Sequence, residues 1–167
     1  ETLKAIRADL YAMADLAKIK NDGNEMVSLV IFFQVTGEGG GNKFSLHSVF
    51  TGNPGTGKTT VARLLSRIYK GLGVLQNGHL VEVDREALVA GFIGQTAIKT
   101  KTKLDEALGG ILFIDEAYSL AGKEFSDNDF GNEAIATILK YMEDNRGKIG
   151  IIAAGYPQKM QEFIDSN

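Results

Sequence analysis

The chain has no cysteine and no tryptophan, and only two prolines and two histidines in 167 residues. Without a thiol, neither a disulfide framework nor thiolate catalysis is available, which fits a cytoplasmic protein. His47 and His79 lie far apart in sequence, so a zinc site is not expected. They read instead as a strand residue and a loop residue. No apolar run approaches the length of a membrane span, and no signal peptide opens the sequence. No internal repeat is present. Excess positive charge is missing too: the formal net charge is −3, so composition gives no case for nucleic-acid binding. What remains is an ordinary globular composition, 44% hydrophobic and 23% charged. The length suits one domain with a sizeable core.

Glycine, by contrast, is abundant, and one cluster has a defined pattern. Gly52-Asn53-Pro54-Gly55-Thr56-Gly57-Lys58-Thr59 reads G-x-x-x-x-G-K-[ST], the phosphate-binding P-loop. Glycines let the backbone wrap closely, so that N–H groups face phosphate oxygens. Lys58 is placed to reach the β- and γ-phosphates of ATP, and the Thr59 hydroxyl to hold Mg²⁺. Thr60 completes the candidate nucleotide-binding set. The context fits: Leu46–Thr51 reads as a strand entering the loop, and Thr59–Tyr69 has helical apolar spacing. The helix N-terminus adds partial positive charge at the anion.

A second pattern lies at Ile111-Leu112-Phe113-Ile114-Asp115-Glu116. Four apolar residues followed by two acids predict a buried parallel strand with carboxylates at its C-terminal end. Open α/β sheets bind ligands at that end. Asp115 is the candidate Mg²⁺ ligand and Glu116 the candidate base for the attacking water. GTP-binding proteins usually read their base with N-K-x-D. Asn42-Lys43-Phe44-Ser45 breaks that pattern and precedes the P-loop.

Along the chain, Leu3, Ile6, Leu10, Met13 and Ala17 predict an amphipathic helix over 2–20, closed by Asn21–Asn24. Val27–Val35 is β-branched and aromatic and predicts a strand or extended segment. Gly37–Asn42 reads as a flexible loop. Beyond the P-loop helix, Leu80–Val83 predicts a strand, and Asp84 caps a short helix through Val89. Helices are expected at Thr96–Leu108, Asn132–Glu143 and Pro157–Ile164, the last opened by proline. Ile149–Ala154 predicts another buried strand, and Lys123–Phe130 a polar loop. Alternating strands and helices predict an α/β fold with a central, mostly parallel sheet between helical layers. The expected division is 1–45, a helix with a variable extended and Gly-rich segment, and 46–167, a nucleotide-binding core.

From about residue 46 onward the sequence resembles the AAA+ ATPases. The similarity narrows to the branch containing stage V sporulation protein K and red-type Rubisco activase. Its carriers are FTGNPGTGKTTVARLL (50–65), GHLVEVDREALVAGFIGQTAIKT (78–100), GGILFIDEAYSL (109–120), DFGNEAI (129–135) and AAGYP (153–157). The resemblance implies the P-loop NTPase three-layer sandwich of the AAA+ large subdomain. It implies ATP hydrolysis with Mg²⁺, and self-association into a ring, a hexamer, that pulls on a protein substrate. In that family an aromatic–aliphatic–glycine loop lines the central pore, and Phe92, Ile93 and Gly94 match it. The stretch Lys123–Gly131 resembles a second pore loop. Three departures stand out. The branch carries Ala153-Ala154-Gly155-Tyr156 where other AAA+ proteins often place a polar sensor. No arginine follows Arg146, so the family's arginine finger and helical lid are expected beyond this sequence. Val27–Gly41 has no clear match. The chain therefore reads as an excised core, expected to hydrolyse ATP slowly by itself. Arg63 and Arg67, one turn apart, read as surface or interface charges. Phe92 could alternatively pack in the core. Two rival functions are a small-molecule phosphotransferase and an ATP-dependent scaffold without turnover. The Phe-Ile-Gly loop and the DEAYSL stretch argue against the first, and Glu116 against the second.

Overall fold

The computed structural model describes residues 30–31, 35–36, 43–44, 46–52, 57–121 and 130–166. The expected helix over 2–20, the Gly37–Asn42 loop and most of Lys123–Phe130 lie outside them. So do Asn53, Pro54, Gly55 and Thr56 of the P-loop.

Four strands form the parallel body of the sheet: β4 (Ser48–Thr51), β5 (Leu80–Val83), β6 (Ile111–Ile114) and β7 (Gly150–Gly155). Ahead of them, β1 (Val30–Ile31) pairs antiparallel with β4, and β2 (Val35–Thr36) pairs with β3 (Lys43–Phe44). The main sheet runs β1-β4-β7-β6-β5. The last strand in sequence is thus inserted between the P-loop strand and the acidic strand. Among the described residues five helices follow in chain order: α1 (Lys58–Gly71), α2 (Arg85–Leu88), α3 (Gln95–Ala107), α4 (Gly131–Asp144) and α5 (Pro157–Ser166). A 3₁₀ turn, Ala117–Leu120, follows the two acids.

Alternation along the strands builds one core on each face of the sheet. Ile111 and Phe113 of β6 join Phe50, Ile152 and Ala154 beneath α1, which contributes Ala62, Leu65 and Tyr69. Leu112 and Ile114 face the other way, with Val83, Ile149, Ile151, and Leu104, Ala134, Ile138 and Met160 of the helices. This is the expected three-layer α/β arrangement. All four residues of β6 are buried, as a strand covered on both faces requires. The Phe50 and Phe113 rings meet edge to face, 6.5 Å between centroids. On the opposite face α3 and α4 are joined by Tyr141, whose hydroxyl donates to Asp105 Oδ1 at 2.8 Å. Burial, then that carboxylate, push the phenol up to about 12.

Boundaries differ from expectation by one or two residues. Strand β4 starts at Ser48 rather than Leu46, and α3 begins at Gln95 and ends at Ala107. The expected strand over Val27–Val35 is described only at Val30–Ile31 and at Val35, in two different sheets.

His47 stands just before β4 and extends its ladder with a side chain. The Ile151 N–H donates to His47 Nδ1 at 3.1 Å, so that nitrogen is unprotonated. Burial lowers the imidazole below its ordinary 6.5. The unfolded chain therefore takes up a proton first as the pH falls. Stability from this group is complete above about 6.5 and declines below it, until the folded-state value is reached. Urea midpoints should fall between about pH 7.5 and 5.5, and His47→Asn, which keeps an acceptor but cannot titrate, should flatten that decline. An unchanged decline in the Asn variant would exclude His47 as its source.

Candidate functional site

The site gathers where the parallel strands end. Thr51 closes β4, and the Gly52 N–H donates to Gly155 O at 3.1 Å, tying the start of the P-loop to the end of β7. Gly57 enters α1 at φ 82°, ψ 24°, a left-handed conformation natural to glycine. Lys58 and Thr59 then form the first turn of α1. Lys58 Nζ donates to Gly52 O at 2.8 Å and stands 5.7 Å from the Tyr156 ring centroid. The ammonium is thus held over the strand ends. Thr60 is exposed on the same turn.

Thr59 Oγ1 donates to Glu82 Oε1 at 3.4 Å. Glu82 pairs in register with Phe113, two residues before Asp115. This brings the Thr59 hydroxyl to the strand beside the acidic one. The Asp115 N–H donates to Val83 O at 2.8 Å, prolonging the β5–β6 ladder by one step. Asp115 Oδ1 accepts from the Glu116 N–H at 3.0 Å. Glu116 is exposed and sits at φ 49°, ψ 47°, the one non-glycine residue with positive φ among those described. A side chain there costs roughly 1–2 kcal/mol, and such strain collects at functional positions. The turn then closes through Ser119 N–H to Glu116 O at 2.9 Å.

A hydroxyl and two carboxylates suit a hard divalent cation, which takes oxygen ligands. Among the described residues no group of three or more His, Cys, Asp or Glu could hold a metal ion unaided. The Thr59 hydroxyl and the carboxylates of Glu82 and Asp115 are oxygen donors of this kind. Lys58 and the α1 N-terminus add positive character for the phosphates themselves.

Two tyrosines to which the sequence reading gave no role of their own flank this edge. Tyr118 and Tyr156 lie 6.2 Å apart, and Lys159 Nζ is 5.6 Å from the Tyr118 ring. Burial, then Glu116, Tyr156 and Asp115, push the Tyr118 phenol up. Gly155 has no room for a side chain: a Cβ would stand 2.8 Å from Met160 Sδ and 2.9 Å from Tyr118 Cδ1. The available signal was position, since Tyr118 and Tyr156 each follow a strand end that carries the site.

Phe92 and Ile93 lie beyond α2, 76% and 89% exposed. Phe92 therefore does not pack in the core. Gly94, at φ 80°, begins α3. The stalk of this segment is fixed. Thr100 Oγ1 donates to Leu88 O at 2.9 Å, and Lys99 Nζ to Glu86 O and Val89 O. The Ala90 N–H donates to Thr96 Oγ1 at 3.0 Å. Arg63 and Arg67 are exposed on α1, as surface charges should be. His79 Nε2 lies 2.7 Å from Glu106 O.

The model of the ATPase family associated with various cellular activities (AAA) matches residues 48–165. Stage V sporulation protein K of Bacillus subtilis is 44% identical over 167 residues, which is 99% of this chain and 51% of that protein. Ribulose bisphosphate carboxylase/oxygenase activase of Cyanidioschyzon merolae is 52% identical over 122 residues, 73% of this chain and 41% of the relative. ESX-1 secretion system protein EccA1 of Mycobacterium tuberculosis is 39% identical over 168 residues, 99% of this chain and 29% of its own length. The chain spans about half or less of the length of these curated relatives. Among the described residues no helix is long and apolar enough to cross a membrane.

The left-handed turn at residue 116 generates its own test. Glu116→Gly should leave the fold as stable or raise it by ~0.5–1 kcal/mol, the relief of strain less glycine's entropic cost. Denaturant unfolding reads this directly. A loss of more than ~1 kcal/mol would mean that the glutamate side chain supports the fold.

Proposed function

We propose, from the fact that this chain belongs to the AAA family of ATPases, that it is the ATP-hydrolysing core of a protein-remodelling machine like stage V sporulation protein K. The observation that carries this reading is the arrangement at the strand ends: Lys58 is held on the Gly52 carbonyl, Thr59 reaches Glu82 on the strand beside β6, and the Asp115–Glu116 turn closes β6, while the exposed Phe92–Ile93 pair follows α2.

In this reading ATP is bound by the P-loop, Gly52–Thr60, of which Asn53, Pro54, Gly55 and Thr56 are members. Lys58 binds the β- and γ-phosphate oxygens, exchanging the Gly52 carbonyl for stronger, charged acceptors. Thr59 and Asp115 are the ligands for Mg²⁺, which when bound neutralises developing charge on the phosphates. Glu116 accepts a proton from the attacking water. Its side chain is exposed, while its backbone N–H is held by Asp115 Oδ1. Phe92, Ile93 and Gly94 grip an extended protein segment through apolar contact, without reading its sequence. Self-association into a ring, a hexamer, would place these loops around one channel. In the same reading the chain divides into an N-terminal segment, 1–45, and the nucleotide-binding core, 46–167, and the working compartment is the cytoplasm. The relatives are named for sporulation, secretion and activation of a carboxylase. What their shared region would supply is the nucleotide engine.

Two substitutions separate the roles. Lys58→Ala should weaken Mg·ATP binding about tenfold or more, since a charge-assisted contact is worth roughly 1.5–3 kcal/mol. Glu116→Gln should bind ATP normally while turnover in the assembled ring falls by roughly 10²–10⁴. Calorimetry and steady-state assays measure both. Unchanged ATP affinity in the Lys variant would remove Lys58 from the site, and normal turnover in the Gln variant would assign the base elsewhere.

Phe92→Ala tests the other end. With the ring already in solvent, thermal stability should change by less than ~0.5 kcal/mol. ATPase activity should persist in the full-length protein while work on its protein substrate is lost. Preserved remodelling would dismiss the apolar pair as the gripping element.

A further inference from the structure

The Asp115–Glu116 turn and the Phe92 segment are joined through one side chain. Arg85 is the first residue of α2, behind the Asp84 cap, whose Oδ1 accepts from the Ala87 N–H at 3.0 Å. Its guanidinium Nη1 donates to Ser119 O at 2.6 Å, inside the 3₁₀ turn that Glu116 starts. The same Nη1 faces the N-terminus of α4: a Cβ at Gly131 would lie 2.9 Å from it and overlap Leu120 O. Arg85 is half-buried there. Three elements therefore converge on its head group, namely the turn after the acids, α2 and the start of α4.

From this junction two hydrogen-bonded paths lead to the exposed pair. One runs along α2, whose carbonyls at Glu86, Leu88 and Val89 are held by Lys99 and Thr100 of α3. The other passes through α4, where Glu133 Oε1 accepts from the Ala97 N–H at 3.3 Å. That N–H belongs to the first turn of α3, immediately after Gly94, where a carboxylate acts favourably on the helix dipole. Both paths end on the two sides of Phe92 and Ile93. A planar guanidinium bonded to a carbonyl at 2.6 Å within a packed junction restricts relative motion.

We propose that Arg85 is a positioning residue that locks the Asp115–Glu116 turn to the stalk of the Phe92 segment, so that the two move together when nucleotide binds. This rests on the nucleotide reading given above. Arg85 supplies no group to ATP; it acts through Ser119 and the α4 start.

The absence of cysteine provides the probe site. In an Ile93→Cys, Glu116→Gln background, a single thiol carries an environment-sensitive fluorophore on the exposed segment, and turnover is blocked. Saturating Mg·ATP should shift the emission. In Arg85→Met, which keeps the aliphatic stem, the shift should fall about fivefold or more while Mg·ATP affinity changes by less than about a factor of three. An undiminished shift in Arg85→Met overturns the proposal. So does a protein that binds Mg·ATP with no shift before Arg85 is altered. Affinity and shift falling together would mark Arg85 as a general structural residue and also overturn it. Should the Met variant fail to fold, Arg85→Gln is read by the same criteria. Failure of the Arg85 protein to bind Mg·ATP at all would instead bring down the nucleotide reading, and this proposal with it.

Discussion

A parallel sheet covered on both faces leaves chemistry only one place to go. Its central strands are largely apolar, because each side chain enters one core or the other, although β4 admits the small buried Ser48 and Thr51. Strand β6 meets this demand with Ile111 to Ile114 all buried, alternating between the two clusters. Polar function is then confined to the residue where burial ends. Asp115 is that residue, half-buried, and Glu116 the next, exposed. Strand β7 obeys the same rule and ends at Gly155, beside Tyr156. The position of the site is thus a consequence of how the core is filled. Loss of a ring such as Phe113 would cost ~3–5 kcal/mol and would disturb the acids two residues on.

Much of this was legible in the sequence because the signals are local. The P-loop helix, the acidic strand, the Asp84 cap and the helices after it were placed within two residues or so. Each depends on spacing, capping or turn chemistry over a short stretch. Strand order was not legible. The placing of β7 between β4 and β6 is decided by pairing across the whole chain, to which no periodicity points. The same holds for the bond from Ile151 to His47, 104 residues apart, and from Ala97 to Glu133, 36 apart. His47 read as a strand residue; the ring in fact substitutes for a backbone partner one position earlier.

The candidate site divides along a similar line. Residue types at fixed spacing singled out Lys58, Thr59, Asp115 and Glu116 as candidates. The strain at Glu116 was hidden, because glutamate carries no preference for a left-handed turn that a reader could detect. Tyr118 and Tyr156 were also hidden, since an isolated tyrosine has many ordinary uses. For Phe92 the sequence left two options open, core or surface. Exposure of 76% chose between them. Gly94 and the threonines of α3 explain why an apolar ring can stay outside: the backbone below it is already satisfied.

Helix α2 has four residues, far fewer than a helix needs to persist alone. Its hydrogen bonds cannot repay nucleation, so its shape is borrowed from α3 and from the Arg85 junction. A borrowed shape has a borrowed lifetime. Opening of α2 requires opening of the contacts to Lys99 and Thr100, and its amides should share the protection of the longer helix. Beyond Ala90 the Phe92 carbonyl takes the Gln95 N–H at 3.2 Å, a lesser tie to α3, so slow amide exchange should fade across residues 91–93 rather than extend through them.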